Sequence, residues 1–326
     1  MLHKDVNERM MRLKVILNPK SKNGDKKHLQ TTIKDKFGHS LIGIDQTAYP
    51  GHGTYLAQRA TKEKVDTVVA VGGDGTVNEV LNGIVGTEVA LGVIPTGTAN
   101  DFACLYHIPS DVARACDVIR EQCLVRADVI CVNERYYVTA GGMGFPCEVV
   151  SLANRIKLSS LAGKLFSQFL GSKIYLFAAL FSLAKKIEKG HFFDVRWDSG
   201  SLSVDSLALM VDNQPFLGRN FLMSPEAVNN DGLLDVCLIE NSKSRVQILS
   251  ILMKVLTGSH VNSASVRQWR TPELTIQTER MLPFLGDGEL FGQGVEFRIK
   301  IVPKCLKAIV PKAYLRNQNP SERILS

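Results

Sequence analysis

Two short runs carry the residue types that a phosphate-handling site needs. The first is Gly72-Gly73-Asp74-Gly75-Thr76, directly after the valine-rich run 66–71. Glycines lack Cβ and tolerate positive φ, so successive backbone N–H groups can converge on one concavity. A helix that follows at once adds free N–H groups and a positive dipole end. Both features attract phosphate. Asp74 repels it unless Mg²⁺ lies between them. Taken alone, the run is also readable as a tight strand–helix turn. The second run, Pro95-Thr96-Gly97-Thr98-Ala99-Asn100-Asp101, offers a glycine, two hydroxyls, an amide and a carboxylate. Its plain alternative is a capped turn, with Asn100 or Asp101 closing the helix after it.

A third polar edge comes from Asn18, Lys20, Ser21 and Gly24. Together the three describe a nucleotide-phosphate site. It is not a P-loop, because GxxxxGK[ST] is absent, and the protein-kinase HRDLxxxN and DFG set is absent too. Two acidic runs stand further on, Asp231–Asp235 and Asp287-Gly288-Glu289. On spacing alone, Asp231 enters a hairpin turn before the strand 233–239. The second run reads as an exposed turn between strands, since Asp-Gly is a common turn signal.

The elements that must position these runs follow from periodicity. Apolar runs at 12–17, 41–47, 66–71 and 89–94 predict strands, and the segments between them predict helices. Strands alternating with helices imply an α/β domain with a doubly wound parallel sheet, whose ligands sit outside the carboxyl ends of the strands. The loops 18–24, 72–76 and 95–101 all fall at such ends. After residue 124 the pattern becomes β-rich, with strands at 124–132, 135–140, 192–197, 202–211, 233–239, 265–270, 273–278 and 295–301. A helical region at 149–187 and a helix at 243–257 interrupt them. Their apolar stripes read as core-facing, with membrane contact the alternative. The domains are expected at 1–124 and 125–310, the tail 311–326 being able to pack back on the first.

Composition sets the outer limits. Of 326 residues, 45% are hydrophobic and 22% charged, which excludes a mostly disordered chain. The net charge of +7 suits an anionic partner without choosing one. Seven cysteines with no CxxC pair suggest neither a zinc site nor a disulfide framework, and a reducing compartment is expected. The N-terminus has no apolar signal region. The stretch 165–184 carries Lys173 at its centre and reads as amphipathic or buried rather than spanning.

GGDGTVNEVLNG followed by IPTGTANDFA resembles the catalytic domain of the diacylglycerol-kinase-type lipid kinases, which include bacterial diacylglycerol kinases and sphingosine kinases. Asn18-Pro19-Lys20-Ser21, Thr47 with Gly51-His52, Asp128 with Asn133, Gly144-Phe145, Asp231–Asp235 and Asp287–Glu289 match in order. Lys22 departs from a frequent glycine, and Phe291-Gly292-Gln293 lacks a nearby proline.

The resemblance implies an NAD kinase/phosphofructokinase-like nucleotide domain followed by a β-sandwich, and ATP-dependent phosphorylation of a lipid hydroxyl in the cleft between them. Diacylglycerol is the default acceptor. It further implies that Gly72, Gly73, Gly75 and Thr76 hold ATP phosphates, and that Asn18, Lys20, Ser21, Thr47, Thr98 and Asn100 contribute to nucleotide binding. Asp74, Asp101 and Asp128 would organise Mg²⁺. Glu289 would be the general base, and Asp231 with the Leu233 carbonyl would hold a second, structural Mg²⁺, with Asp235 in the same network. The expected partner is a lipid at the inner face of a membrane, reached peripherally from the cytoplasm; a homodimer is compatible. An NAD kinase is the rival within the fold, and a non-catalytic nucleotide- or lipid-binding regulator the rival outside catalysis. Nucleic acid is not expected, since no recognition motif accompanies the basic residues.

Overall fold

The computed structural model describes residues 11–20, 26–159, 178–181, 190–218, 221–242 and 244–318. Ser21, Lys22 and Gly24, and most of the helical region expected at 149–187, lie outside these residues. The first half alternates as its periodicity predicts. In order come β1 (Leu13–Leu17), α1 (Lys26–Phe37), β2 (Leu41–Gln46), α2 (His52–Lys62), β3 (Thr67–Gly72), α3 (Asp74–Ile84) and β4 (Ala90–Pro95). All pair in parallel, in the order β2-β1-β3-β4. Every residue of β1, β3 and β4 is buried, as expected for parallel strands covered on both faces. The order reverses between β1 and β3, the switch point where such sheets open a crevice. Two helices, α4 (Asp101–Leu105) and α5 (Val112–Glu121), complete this part.

The β-rich half begins with β5 (Leu124–Val132), β6 (Arg135–Tyr137) and β7 (Ala140–Gly144), then α6 (Phe145–Ser159). Next come β8 (His191–Trp197), β9 (Gly200–Asp212) and a small ribbon, β10 (Phe216–Leu217) with β11 (Phe221–Leu222). The chain ends with β12 (Leu234–Glu240), α7 (Arg245–Val255), β13 (Val266–Thr271), β14 (Glu273–Gly286), β15 (Glu289–Ile309) and α8 (Lys312–Gln318). Both β9 and β14 pair with β7 and with β8, so the sheet folds back on itself. Its inner face encloses a second core around Phe193, Leu209, Phe284 and Phe297.

The two halves are not separate sheets. The strand expected at 295–301 runs 21 residues as β15. It pairs with β14 at one end and, through Lys307 and Ala308, with β4 at the other. It also pairs antiparallel with β5, with a register break between Val302 and Leu306. Lys304 lies in that break at φ 52°.

Two expectations change here. The return to the first domain was expected from residue 311, but Leu306, Ala308, Ile309 and Val310 already belong to its core. In addition, Asp128 is fully buried, and its carboxylate accepts from Lys304 N (2.7 Å) and Gly232 N (2.7 Å). It pins the bulge of β15 and the 231–235 loop, and it does not line the nucleotide-side cavity. Because Leu306 is 1% exposed inside the first core, Leu306→Ala is expected to cost about 2–5 kcal/mol. Urea denaturation reads this directly, and a loss below about 1 kcal/mol would separate β15 from the first core.

Candidate active site

Four strand ends meet at the crevice. Asp74 is the first residue of α3, so GGDGT supplies the helix's opening turn rather than merely preceding it. Gly73 caps α3 with no side chain to accept its first N–H groups; its carbonyl accepts from Thr76 N (3.0 Å) and Val77 N (3.1 Å), and the N–H groups of Asp74 and Gly75 precede that first bond. The Asp74 carboxylate accepts from Asp101 N (2.6 Å) and Asn100 N (2.8 Å). It thereby ties the β3 loop to the β4 loop. The two loops touch at glycines, because a Cβ on Gly97 would strike Gly73. Burial, with the nearby Asp287 carboxylate adding to it, pushes the Asp74 carboxyl up to about 6 despite those N–H donors.

The other expected residues divide into two groups. Asn18, Lys20, Thr47, Gly73, Asp74, Gly75, Thr76, Thr98, Asp101 and Glu289 all line one cavity of about 890 Å³. Asn18 donates to Thr76 Oγ1 (3.1 Å), and Asp101 accepts from Gly218 N (3.1 Å) of the ribbon turn in the second half. Asn100 sits outside that lining. Its amide bonds Gly97 N and Gly97 O, so it braces its own loop at φ 54°. Gly72 is likewise backbone support: a Cβ there would collide with the Thr76 side chain.

Asp287-Gly288 forms a two-residue hairpin between β14 and β15, with Gly286 opposite Glu289 and both φ values positive (50° and 77°). That is the type I′ geometry for which Asp-Gly is suited. The turn is not exposed at Asp287. Its buried carboxylate accepts from Asn78 Nδ2 (2.8 Å), Thr139 Oγ1 (2.7 Å), Thr139 N (2.8 Å) and Val138 N (3.1 Å). Burial raises its pKa against these donors. The clamp brings exposed Glu289 over the first loop: a Cβ on Gly75 would lie 2.9 Å from Glu289 Oε1. The third glycine of GGDGT is therefore the space into which Glu289 reaches.

Sequence reasoning missed what the polar side chains of α3 do. Asn78 and Asn82 donate to Tyr136 O, and Asn82 accepts from Tyr136 N, fixing β6. Glu79 turns the other way and accepts from Gly51 N (2.8 Å) and Gly53 N (2.7 Å) at the start of α2. Their spacing, 78, 79 and 82 on an otherwise apolar helix, was the available signal. Glu79→Ala is expected to cost about 0.5–2 kcal/mol, as for a lost helix cap. An unchanged urea midpoint would exclude this bracing role.

The acidic cluster expected to hold a second Mg²⁺ contains its own cation. Asp231 accepts from Leu233 N (3.1 Å) and faces Arg270 Nη1 at 3.9 Å, while Asp235 accepts from Arg270 Nε at 2.7 Å. This arrangement does not fit a Mg²⁺ cage. Among the described residues, no group of three His, Cys, Asp or Glu side chains could hold a metal ion.

Asp235 lies opposite buried Asp212 in the β12–β9 register. Asp212 Oδ1 and Asp235 Oδ2 have no hydrogen-bond partner among the described residues. Burial pushes the Asp212 carboxyl up to about 8, although Ser224 donates to it. The folded protein thus holds this proton up to about pH 8, whereas an unfolded Asp releases it near 3.9. Stability from the protonated form is full below about pH 4 and lost as pH rises through about 8. Asp212→Asn does not titrate and should gain about 1–4 kcal/mol over wild type at pH 7, with the gain vanishing near pH 4. Urea titrations at both pH values check it; a pH-independent difference would contradict it.

The doubly wound domain, the β-sandwich and the crevice between them are the features of the NAD kinase-like fold class. Similarity narrows this class. Residues 12–132 match the diacylglycerol kinase catalytic domain, and residues 149–310 match the YegS C-terminal NAD kinase beta sandwich-like domain. A diacylglycerol kinase of Bacillus subtilis is 26% identical over 289 residues, covering 87% of this chain and 91% of the relative. One from Staphylococcus saprophyticus is 26% identical, with 86% and 90% covered. The crystal structure of a diacylglycerol kinase from Bacillus anthracis superposes with a TM-score of 0.68 at 20% identity, covering 94% of this chain and 99% of that one. An NAD kinase from Archaeoglobus fulgidus in complex with ATP gives 0.52 at 12% identity, with 97% and 100% covered. The chain belongs to the family of bacterial diacylglycerol-kinase-like lipid kinases.

Proposed function

We propose that this kinase transfers the γ-phosphate of ATP to the hydroxyl of a glycerolipid, converting diacylglycerol to phosphatidic acid. One observation carries the reading: the cavity is continuous and has two chemically opposite ends. Gly73, Asp74, Thr76, Thr98 and Asn18 line one end; Phe145, Val149, Val150, Leu217, Phe221 and Leu252 line the other. Glu289 lines the same cavity and rests over Gly75 of the phosphate loop. A polar nucleotide and an apolar tail fit such a space together. NAD, the acceptor in the rival reading, would leave the apolar end unused.

Phosphoryl transfer mainly requires positioning and neutralised charge. The opening N–H groups of α3 hold the transferring phosphates. Asn18, Lys20, Thr47 and Thr98 hold the nucleotide. Glu289 takes the proton from the lipid hydroxyl. The hydroxyl oxygen then bonds to the γ-phosphorus as the bond to the β-phosphate oxygen breaks and ADP departs. Asp74 and Asp101 are hard oxygen donors facing this cavity, and the raised Asp74 carboxyl is one that a nearby cation would ionise fully. These two carboxylates would hold a Mg²⁺, which would supply neutralisation of phosphate charge. This reading implies peripheral work at the cytoplasmic face of a membrane, where ATP and lipid meet.

The test is labelled ATP and Mg²⁺ with diacylglycerol in mixed micelles, and NAD as the competing acceptor. Wild type is expected to label the lipid and Asp74→Ala to abolish labelling. Glu289→Gln is expected to lower kcat by about 10²–10⁴ with little change in the KM for ATP. Labelled NAD with unlabelled lipid would overturn the lipid reading. Full turnover by Glu289→Gln would remove the base assignment.

A further inference from the structure

The apolar lining of the cavity includes Leu252 of α7, and this helix is apolar on more than its core side. Ile248, Ile251 and Val255 are buried, while Leu252 lines the cavity. Val246, Leu249 and Met253 are exposed at 78%, 42% and 51%. At about 100° per residue these positions form one arc, in which Arg245, the first residue of the helix, stands between Leu252 and Leu249. It runs from the buried triad, across Leu252 at the cavity edge, to Leu249, Met253 and Val246 outside. Gln247, Ser250 and Lys254 occupy the remaining arc. The exposed trio therefore lies on the cavity side of α7, where a purely core-facing stripe would have ended. Ala179 lines the cavity too and packs in the cluster around Leu252, and the next two residues, Leu180 and Phe181, are 40% and 38% exposed. Contiguous apolar exposure of this kind marks an interaction surface.

We propose that the outer face of α7, with Leu180 and Phe181, is the surface on which this protein docks to a bilayer containing anionic lipid, bringing the apolar end of the cavity to the hydrocarbon. The inference rests on the lipid-kinase reading. Charge selects the occupant. The helix carries Arg245 and Lys254, both exposed, and no acidic residue. Neither forms an ion pair among the described residues. An apolar stripe flanked by cations suits the interface of an anionic membrane, and the net charge of +7 adds long-range attraction. Among the described residues no helix is long and apolar enough to cross a membrane.

The experiment is co-sedimentation of the full chain with vesicles of equimolar phosphatidylglycerol and phosphatidylcholine, and with phosphatidylcholine alone. Wild type should bind the anionic vesicles and release them as salt rises. The triple variant V246Q/L249Q/M253Q should lose about tenfold or more of that binding, and Arg245→Gln with Lys254→Gln should lose the preference for anionic vesicles. An unchanged melting temperature shows that the variants fold. Phosphorylation of a short-chain diacylglycerol dispersed in water should stay at the wild-type level in the triple variant. Vesicle binding equal to wild type in the triple variant, or none in wild type, overturns the proposal. So does a wild-type dimer that the triple variant makes monomeric, since the face would then be a subunit interface. Failure of wild type on the short-chain substrate overturns the lipid-kinase reading instead, and vesicle binding is judged apart from it.

Discussion

The buried carboxylate of Asp287 is the constraint on which the site depends. It accepts from Asn78 on α3 of the first domain and from Val138 and Thr139 between β6 and β7 of the second. Burying a carboxylate is costly unless donors surround it, and here four do. Those donors come from two segments, one in each domain, so the charge is stabilised only when both domains are in register. The same turn, held at positive φ on both residues, launches β15 with Glu289 as its first residue. One interaction thus sets the closeness of the two domains and the place of the candidate base above Gly75.

Continuity of the sheet makes that register rigid. β5 and β15 cross from one core to the other, and each contributes residues to both. Asp128 sits where the β15 register breaks and bonds the bulge at Lys304 and the loop at Gly232. A carboxylate in this role rigidifies the crossing between the cores. Arg270 does the corresponding work at Asp231 and Asp235, supplying positive charge from the protein itself. Acidic residues that look alike in the chain thus separate into two sets, one facing the cavity and one stabilising the frame.

The cavity inherits its two-ended chemistry from the two kinds of sheet. Parallel strands end in loops rich in glycine and small polar residues, because α3 must start there and its first N–H groups need space. The folded-back sheet covers its outer face with α6 and α7, whose apolar side chains line the far end. Asp101 joins the ends through Gly218 N. Asp74, between two glycine loops, is held close to neutral pH by burial, so its charge responds to whatever binds beside it.

The sequence by itself determined the alternating first domain and the polar strand-end loops that line its crevice. These are local matters: valine runs make buried strands, glycines open turns, and the order of elements makes a parallel sheet. It also marked Glu289, although spacing alone read its turn as an exposed hairpin. Tertiary structure decided what local pattern does not encode. Strands read as 273–278 and 295–301 became β14 and β15, of 14 and 21 residues, because their outer parts pair with β7, β5 and β4, while the polar stretch around Glu279 and Arg280 falls in a register break between Gln277 and Leu282. Asp128 proved to accept from Lys304 N and Gly232 N, and Asp231 to accept from Leu233 N beside Arg270, partners that local pattern does not name. Glu79, Asn78 and Asn82 gained their functions only when α3 met α2 and β6. A residue's type limits the bonds it can make, and only the packed chain decides which of them form.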